Sequence, residues 1–129
     1  MKKTVLVTGV AGFIASKTAE LLLKKGYKVV GVDNMNDYYD VKLKNYRLRE
    51  LLNKWGHLGA RCPHSFIFQK MDIEDMAACK RIFNKYKFSA VVNLAARAGV
   101  RYSLINPHVY MTTNVNGTLN LLELCRQKG

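Results

Sequence analysis

The chain lacks the features of membrane-spanning and secreted proteins. No apolar stretch reaches the roughly 18 residues that a membrane-spanning helix needs, and no charged and then apolar leader opens the sequence. Cysteine is sparse, because Cys62, Cys79 and Cys125 form an odd, widely spaced set without a Cys-x-x-Cys pair. Such a set predicts reduced thiols in a cytoplasmic protein rather than a disulfide framework, and the lack of a spanning stretch predicts no membrane partner.

A metal-binding pattern is also missing. His57, Cys62 and His64 lie in one predicted loop, but their spacing matches no familiar zinc pattern and a fourth ligand is absent. We therefore expect no metal site.

Acidic residues are few: 9 stand against 21 lysines and arginines, which gives a formal net charge of +12. Chains this basic often bind nucleic acid through its phosphates. Here the basic residues are scattered along the sequence, densest in 42–54, without a single basic tract or a known nucleic-acid motif. We therefore expect no nucleic-acid partner, and a basic surface would equally steer a small polyanionic ligand inward.

The most informative segment that is present runs from Val5 to Ser16. Residues 4–7 are apolar and β-branched, which is typical of a strand buried on both faces of a parallel sheet. Gly9 permits the turn that follows, and Gly12 keeps side chains away from the first amides of a helix, which attract an anion. Ala15 is small enough for close packing of helix and strand. The backbone predicted to bind the anion comprises Gly9, Ala11, Gly12, Phe13 and Ile14.

A second strand over 27–33 follows a helix over 12–25. It closes on Asp33, roughly 20 positions after the glycines, where dinucleotide folds carry an acid that accepts ribose hydroxyls. The negative charge of Asp33 would repel the extra phosphate of NADP, so NAD is the predicted cofactor. The alternative is a chance coincidence of small residues in some other strand, turn and helix, and the complete order of elements argues against it.

The rest of the chain continues the alternation of helix and strand. The pattern predicts helices over 42–52, 74–87 and from Asn106–Pro107 to Gly129, strands over 66–69 and 88–94, and a loop over 53–65. Together these elements predict an α/β fold, a Rossmann-like doubly wound parallel sheet with strand order 3-2-1-4. With 129 residues, the chain is expected to form one domain over 1–129.

Four segments carry a family resemblance that covers essentially the whole chain. They are Thr8-Gly9-x-x-Gly12-Phe13-Ile14-Ala15, the run from Asp33 to Asp40, Asp72-Ile73, and the run from Asn93 to Ser103. The first resembles the TGxxGxxG fingerprint of the extended short-chain dehydrogenase/reductase family, with Ala15 in place of the last glycine. Together they look most like its NAD-dependent nucleotide-sugar epimerases and dehydratases, and the last run is similar to UDP-glucuronate 4-epimerases.

The resemblance implies a set of cofactor-binding residues beyond the glycine turn. They are Asp33, Asn34 and Asn36 after the second strand, Asp72 and Ile73 at the adenine, Leu94, Ala95 and Ala96 after the fourth strand, and Asn114. Two alternatives stay open, because Asp72 or Asp75 would also suit a helix N-cap and Asn114 would also suit a solvated helix position.

The resemblance also implies a substrate set for a UDP-sugar: Arg97, Val100, Arg101 and Ser103. Arg97 and Arg101 flank a glycine-containing loop, and the planar donors of arginine can pair with a pyrophosphate or with the carboxylate of a uronic acid. The alternative is that neither arginine contacts a ligand, because one pairs with an acidic neighbour and the other is solvated.

The catalytic elements that the resemblance implies are not found. The resembled enzymes carry a serine or threonine and a Tyr-x-x-x-Lys pair on later elements, and the one such pair here, Tyr38 and Lys42, falls in the loop after the second strand. We therefore expect a cofactor-binding part, truncated before the catalytic strand and helix and without the substrate-binding subdomain, that binds NAD weakly and catalyses nothing.

Two other functions remain open from the sequence, the cofactor domain of a nucleotide-sugar dehydratase or reductase, and a non-enzymatic NAD-binding module. We also expect self-association, because the fourth strand would be an exposed edge. The resembled enzymes dimerise through the last helix, which implies a homodimer through that helix.

Overall fold

A computed structural model describes residues 2–56 and 65–129. Strands and helices alternate, as predicted. The strands are β1 (Thr4–Thr8), β2 (Lys28–Asp33), β3 (Phe66–Lys70) and β4 (Ala90–Asn93). The helices are α1 (Phe13–Lys24), α2 (Val41–Trp55), α3 (Met76–Lys85), α4 (Val100–Ile105), α5 (His108–Tyr110) and α6 (Thr118–Lys128), and a π segment (Met111–Gly117) joins α5 to α6.

The four strands form one parallel sheet in the order β3-β2-β1-β4, which confirms the predicted topology. Val5 of β1 lies opposite Val29 of β2 on one side and Ala90 of β4 on the other. All four carboxyl ends therefore meet at one end of the sheet, where ligands bind in folds of this type. Within the described residues, β4 is an edge strand that pairs with β1 alone.

Helices cover both faces of the sheet, and each face has its own apolar core. On one face, α1 and α2 pack on the strands through Ala15, Ala19, Leu51 and Trp55. Trp55 is 5% exposed and is the single tryptophan of the sequence. On the other face, α3 and α6 contribute Cys79, Ile82, Phe83, Leu121 and Leu124. The domain is therefore doubly wound, as predicted.

Local signals set the helix ends. Asp40 caps α2, because its carboxylate accepts from the N–H of Lys42 at 2.8 Å. Asp75 caps α3 by accepting from the N–H of Ala78 at 3.1 Å, so the N-cap alternative is realised at Asp75. Gly26, with φ +87°, follows α1 in a conformation that favours glycine.

Two sequence predictions about elements are wrong. The loop predicted over 53–65 begins too early, because α2 continues to Trp55, whose side chain is buried in the core; residues 57–64 lie outside the described part of the chain. The short helix α4 was not predicted, since its apolar residues Val100 and Leu104 are 81% and 83% exposed and give no buried stripe. In the described residues no helix is both long and apolar enough to span a membrane.

Candidate functional site

The glycine turn lies directly against the end of β4. Gly9 has φ +64°, and a Cβ atom built there would lie 2.8 Å from Ala95 Cα and 2.9 Å from Ala95 N. The N–H of Gly12 donates to the carbonyl of Gly9 at 2.8 Å, which closes the turn. Gly9 therefore meets both a conformational and a steric requirement for glycine.

The amino terminus of α1 leaves its first amides without side-chain partners. Gly12 is the N-cap, no side chain caps the helix, and its first turn has no acidic residue. The side chains of Phe13 and Ile14 are 75% and 66% exposed, and Ala15 is buried against the strands. A helix end of this kind attracts an anion through its unpaired N–H groups and its dipole.

Asp33 lies beside this turn and is only 8% exposed. One of its carboxylate oxygens accepts from the N–H of Ala11 at 3.1 Å and the other from the N–H of Met35 at 2.7 Å. Each carboxylate oxygen has capacity for a further hydrogen bond. Asp33 thus organises the turn and is still able to accept ribose hydroxyls.

The glycine turn and the carboxyl ends of β2, β3 and β4 line an open cleft. Most of the predicted cofactor residues line it: Gly9, Gly12, Asp33, Asn34, Asn36, Asp72, Ile73, Leu94, Ala95 and Ala96. Of the predicted substrate residues, Arg97 lines it too. The lining also includes Tyr38, Tyr39, Lys44 and Thr113, which were not predicted as site residues.

The structure does not bring every predicted residue into this cleft. Ala11 is buried and contributes its N–H to Asp33, whereas Phe13 and Ile14, the first two residues of α1, are not part of the lining. Val100, Arg101 and Ser103 lie on α4, outside the lining.

Asp72 and Ile73 are hydrogen-bonded to the segment after β2 and to α6. The Nδ2 of Asn34 donates to Asp72 at 3.2 Å, and the other oxygen of Asp72 accepts from the N–H of Glu74 at 2.9 Å. From the far side, the Nδ2 of Asn120 on α6 donates to the carbonyl of Ile73 at 2.9 Å. Gly117 allows this close approach, because a Cβ there would lie 2.7 Å from two atoms of the Ile73 side chain.

Asn114 holds the backbone of Arg97. Its Oδ1 accepts from the N–H of Arg97 at 2.8 Å and its Nδ2 donates to the carbonyl of Arg97 at 2.9 Å. Asn114 is therefore neither a solvated position nor part of the cleft lining, but a residue that positions Arg97. It comes from the π segment, a type of irregularity often found at functional sites.

Thr8 is a positioning residue that the sequence did not single out. Its fully buried Oγ1 accepts from the N–H groups of Leu94 and Ala95, both at 3.0 Å, and donates to Asn93. The hydroxyl thereby fixes the turn after β4 against the glycine turn. Its place immediately before Gly9 in the fingerprint is the signal that could have identified it.

Lys44 is a cleft residue that the sequence also missed. It is only 4% exposed, and its ammonium donates to the backbone oxygen of Asn36 at 2.8 Å and to its Oδ1 at 2.9 Å, 4.6 Å from the centre of the Tyr39 ring. Burial lowers the pKa of Lys44, and the charge of Asp33 partly opposes the shift. An ammonium has three donors, so one remains for a ligand.

Tyr38, the tyrosine of the Tyr-x-x-x-Lys pair, donates its hydroxyl to the carbonyl of Ala98 at 2.6 Å. The hydroxyl of Tyr110 donates to the next carbonyl, that of Gly99, also at 2.6 Å. The Arg97 guanidinium lies 5.8 Å from the centre of the Tyr38 ring. These tyrosines thus hold the loop after β4 in place.

The residues of the cleft fit a bound dinucleotide. The uncapped amides of α1 suit a pyrophosphate and Asp33 suits a ribose. Two cationic groups lack full partners among the described residues, because the Nε of Arg97 is buried without a hydrogen bond and Lys44 has a donor left. In residues 2–56 and 65–129, no cluster of three or more potential metal ligands occurs, and the His57, Cys62 and His64 set lies outside these ranges.

The sheet order, the glycine turn and the acid at the end of β2 define a Rossmann-like domain of the nucleotide-binding class. The family model described as GDP-mannose 4,6 dehydratase matches residues 6–129, and the chain belongs to this family. The resemblance to extended short-chain dehydrogenases/reductases is thereby confirmed.

Several similar proteins are sugar-nucleotide epimerases. UDP-glucuronate 4-epimerase of Thermodesulfobacterium geofontis is 53% identical over 124 residues, which are 96% of this chain and 36% of that protein. Two solved structures share 32% identity over 98% of this chain: UDP-glucose 4-epimerase of Thermotoga maritima with UDP-glucose (TM-score 0.76, 35% of that chain) and that of Thermus thermophilus in complex with NAD (TM-score 0.75, 34%). The chain thus spans about a third of their length.

Proposed function

We propose that this chain is the NAD-binding part of a nucleotide-sugar 4-epimerase, and that the whole protein acts on UDP-glucuronate. The observation that carries the proposal is the buried carboxylate of Asp33 next to the uncapped start of α1, in one cleft. The sequence identity of 53% to a UDP-glucuronate 4-epimerase supports the choice of sugar.

Each group of cleft residues has a proposed part in holding NAD. The amides of Phe13 and Ile14 bind the pyrophosphate, Asp33 with Asn34 and Asn36 binds the adenosine ribose, and Asp72 with Ile73 borders the adenine. The backbone of 94–96 lets the cofactor pass close to β4, because its side chains at Ala95 and Ala96 are small. When bound, NAD supplies hydride exchange at C4 of the sugar, the chemistry that a 4-epimerisation requires.

Substrate residues are proposed at the start of α4. Val100, Arg101 and Ser103 lie on this helix, and Arg97 precedes it at the cleft. Because a guanidinium pairs with two oxygens at once, Arg101 suits the carboxylate of a uronic acid. Arg97 lies closer to the proposed cofactor groups and suits a pyrophosphate.

We infer that the chain on its own catalyses no epimerisation. Its one Tyr-x-x-x-Lys pair includes Tyr38, whose hydroxyl is committed to the carbonyl of Ala98, and Lys42 lies at the first turn of α2. A general base must be within reach of the proton that it removes, and the Tyr38 hydroxyl is bonded to a backbone carbonyl instead.

The test is calorimetric titration with NAD and with NADP at fixed salt. We expect saturable NAD binding, weaker NADP binding, and weaker NAD binding in Asp33→Ala. Asp37→Ala is the matched control, because Asp37 is an exposed acid of the same loop outside the cleft lining. Absence of binding by either nucleotide, or turnover of UDP-glucuronate by the purified chain, would contradict the proposal.

A second candidate is the cofactor domain of a nucleotide-sugar dehydratase, which the description of the family model favours. The two candidates share the NAD site and differ in the sugar. Titration of the NAD-loaded chain with UDP-glucuronate and GDP-mannose separates them, because Arg101→Ala weakens UDP-glucuronate binding only under the first. A reductase domain and a non-enzymatic NAD module are further possibilities that the sequence leaves open.

We also propose a homodimer through the last helix. An apolar stripe follows the π segment and α6, where Met111, Val115, Leu119 and Leu122 are each 48–61% exposed. Such a stripe on one helix face is typical of a partner-binding surface. Sedimentation velocity should show a dimer that Leu119→Glu dissociates, and a strict monomer at high concentration would contradict this. A cytoplasmic location and the absence of a nucleic-acid partner stay predictions.

A further inference from the structure

Seven lysines gather at the end of the sheet opposite the cleft. They come from four separate parts of the sequence: the segment before β1, the turn from α1 into β2, the turn from α3 to β4, and the end of α6. We call them the basic pole: Lys2, Lys3, Lys25, Lys28, Lys85, Lys87 and Lys128. Parallel strands bring these segments together, because all their amino ends lie at one end of the sheet.

Contacts between the segments make the basic pole one continuous surface. The N–H of Lys28 donates to the carbonyl of Lys3 at 3.0 Å, which joins the first two segments. The ammonium groups of Lys28 and Lys85 lie 5.8 and 5.4 Å from the centre of the same Tyr86 ring. Lys128 donates to Asn84 Oδ1 at 2.7 Å, which joins α6 to the end of α3.

No acidic side chain neutralises this surface. Six of the nine acids lie at or after the carboxyl ends of β2 and β3, at the end of the sheet that holds the cleft: Asp33, Asp37, Asp40, Asp72, Glu74 and Asp75. The other three pair with basic residues outside the pole: Glu20 with Lys17 and Lys24, Glu50 with Lys54, and Glu123 with Arg126. Among the described residues, no lysine of the basic pole forms an ion pair.

We propose that the basic pole attaches the protein to an anionic lipid surface. A cluster of this size is in the range that binds acidic phospholipids, whose surface potential attracts each ammonium within about a Debye length. Attachment is electrostatic and reversible, because the pole consists of lysines and the neighbouring rings of Tyr27, Tyr86 and Phe88 are half-buried. This attachment is peripheral and needs no membrane-spanning helix. It revises the expectation that the protein has no membrane partner.

The composition of the pole favours lipid over nucleic acid. The unpaired cations at this end are lysines, and the nearby Arg126 pairs with Glu123, whereas nucleic-acid sites commonly use the planar fork of arginine and exposed aromatic rings that stack on bases. Tyr27 and Tyr86 are half-buried, and Tyr86 packs beside Phe88 with ring centres 6.0 Å apart. Lysine ammonium groups without exposed aromatic rings beside them suit a layer of anionic lipid headgroups, which requires charge but no base stacking.

The geometry also leaves the cleft accessible on the membrane. The basic pole and the cleft lie at opposite ends of the same strands, so attachment through one points the other toward solvent. NAD binding is therefore expected to be the same with and without vesicles. This inference does not depend on the proposed function, since it concerns the other end of the molecule.

The test is co-sedimentation of the chain with vesicles of phosphatidylcholine alone or mixed with phosphatidylserine. We expect sedimentation only with the mixed vesicles, falling steeply as salt is raised. Lys3→Glu/Lys87→Glu should abolish sedimentation. The matched control is Lys42→Glu/Arg49→Glu, which changes net charge equally on exposed positions of α2 and should retain most of it.

Thermal melting of both variants establishes that each is folded. Equal loss in both double variants would overturn the proposal, because net charge alone would then explain the attachment. Failure of the wild-type chain to sediment with mixed vesicles would also overturn it. So would tighter binding to duplex DNA than to mixed vesicles at the same salt, with the same sensitivity to the pole variant.

Discussion

Asn114 in the π segment and Arg97 after β4 pair through two hydrogen bonds, 2.8 Å from the N–H of Arg97 to Asn114 Oδ1 and 2.9 Å from Asn114 Nδ2 to the carbonyl of Arg97. These two hydrogen bonds are like those between neighbouring strands of a sheet, except that the side-chain amide of Asn114 takes the place of the second strand. They fix the backbone beyond Asn93, the last residue of β4, as far as Arg97 in the lining of the cleft.

Asn114→Ala should lower the free energy of unfolding by about 2 kcal/mol, since two hydrogen bonds of roughly 1 kcal/mol each are lost. It should also weaken NAD binding, because the Arg97 wall loses its support. Urea denaturation and calorimetry measure the two effects. Asn116→Ala, an exposed asparagine of the same segment, is the control, and equal effects in both variants would disprove the positioning role.

Gly9→Ala should destabilise the domain more than Gly26→Ala. Both glycines have positive φ, so each substitution costs about 1–2 kcal/mol in backbone strain. At Gly26 nothing lies within 4 Å of the new Cβ, whereas at Gly9 the backbone of Ala95 lies 2.8 Å away. Denaturation curves of the two variants provide the comparison. If Gly9→Ala proves no worse than Gly26→Ala, the close approach of the two turns is incorrect.

The lowered pKa of Lys44 predicts a specific pH dependence of stability. Between that lowered value and 10.5, the unfolded chain binds more protons at this group than the folded chain, so the contribution of Lys44 to stability increases with pH. The difference in unfolding free energy between wild type and Lys44→Met should be flat at lower pH and rise toward 10.5. Lys42→Met, an exposed lysine of the same helix, controls for loss of charge. A difference that falls with pH would refute the prediction.

Two cysteines should differ sharply in reactivity. Burial raises the pKa of Cys79 to about 11, and its side chain is fully enclosed by the core of the second face. Cys125 on α6 is exposed. Iodoacetamide at mildly alkaline pH should therefore modify Cys125 within minutes and Cys79 only after unfolding, as peptide mass spectrometry would show. Modification of both at the same rate in the native protein would be inconsistent with the packing of α3.

The sequence predicted those features that depend on local signals. The β-branched runs and the glycine turn gave β1, α1 and β2 to within a residue or two of their ends, and their order determined the sheet. Asp33 was assigned to the cleft from its distance to the glycines alone.

Features that depend on distant contacts could not be predicted in this way. Lys44 has the pattern of a solvated helix position, and only the fold brings Asn36 to its ammonium. No continuous run of basic residues in the sequence indicates the basic pole, because its lysines are up to 126 positions apart, from Lys2 to Lys128. α2 continues past its predicted end because Trp55 finds a buried position against the sheet.

The position of Trp55 gives the domain a built-in optical reporter. Its indole is enclosed between α2 and the sheet, and it is absent from the lining of the cleft. Tryptophan emission shifts to longer wavelength when water reaches the ring, and no second tryptophan contributes to the signal. Intrinsic fluorescence will therefore follow the opening of the α1 and α2 face, while occupancy of the cleft leaves it unchanged.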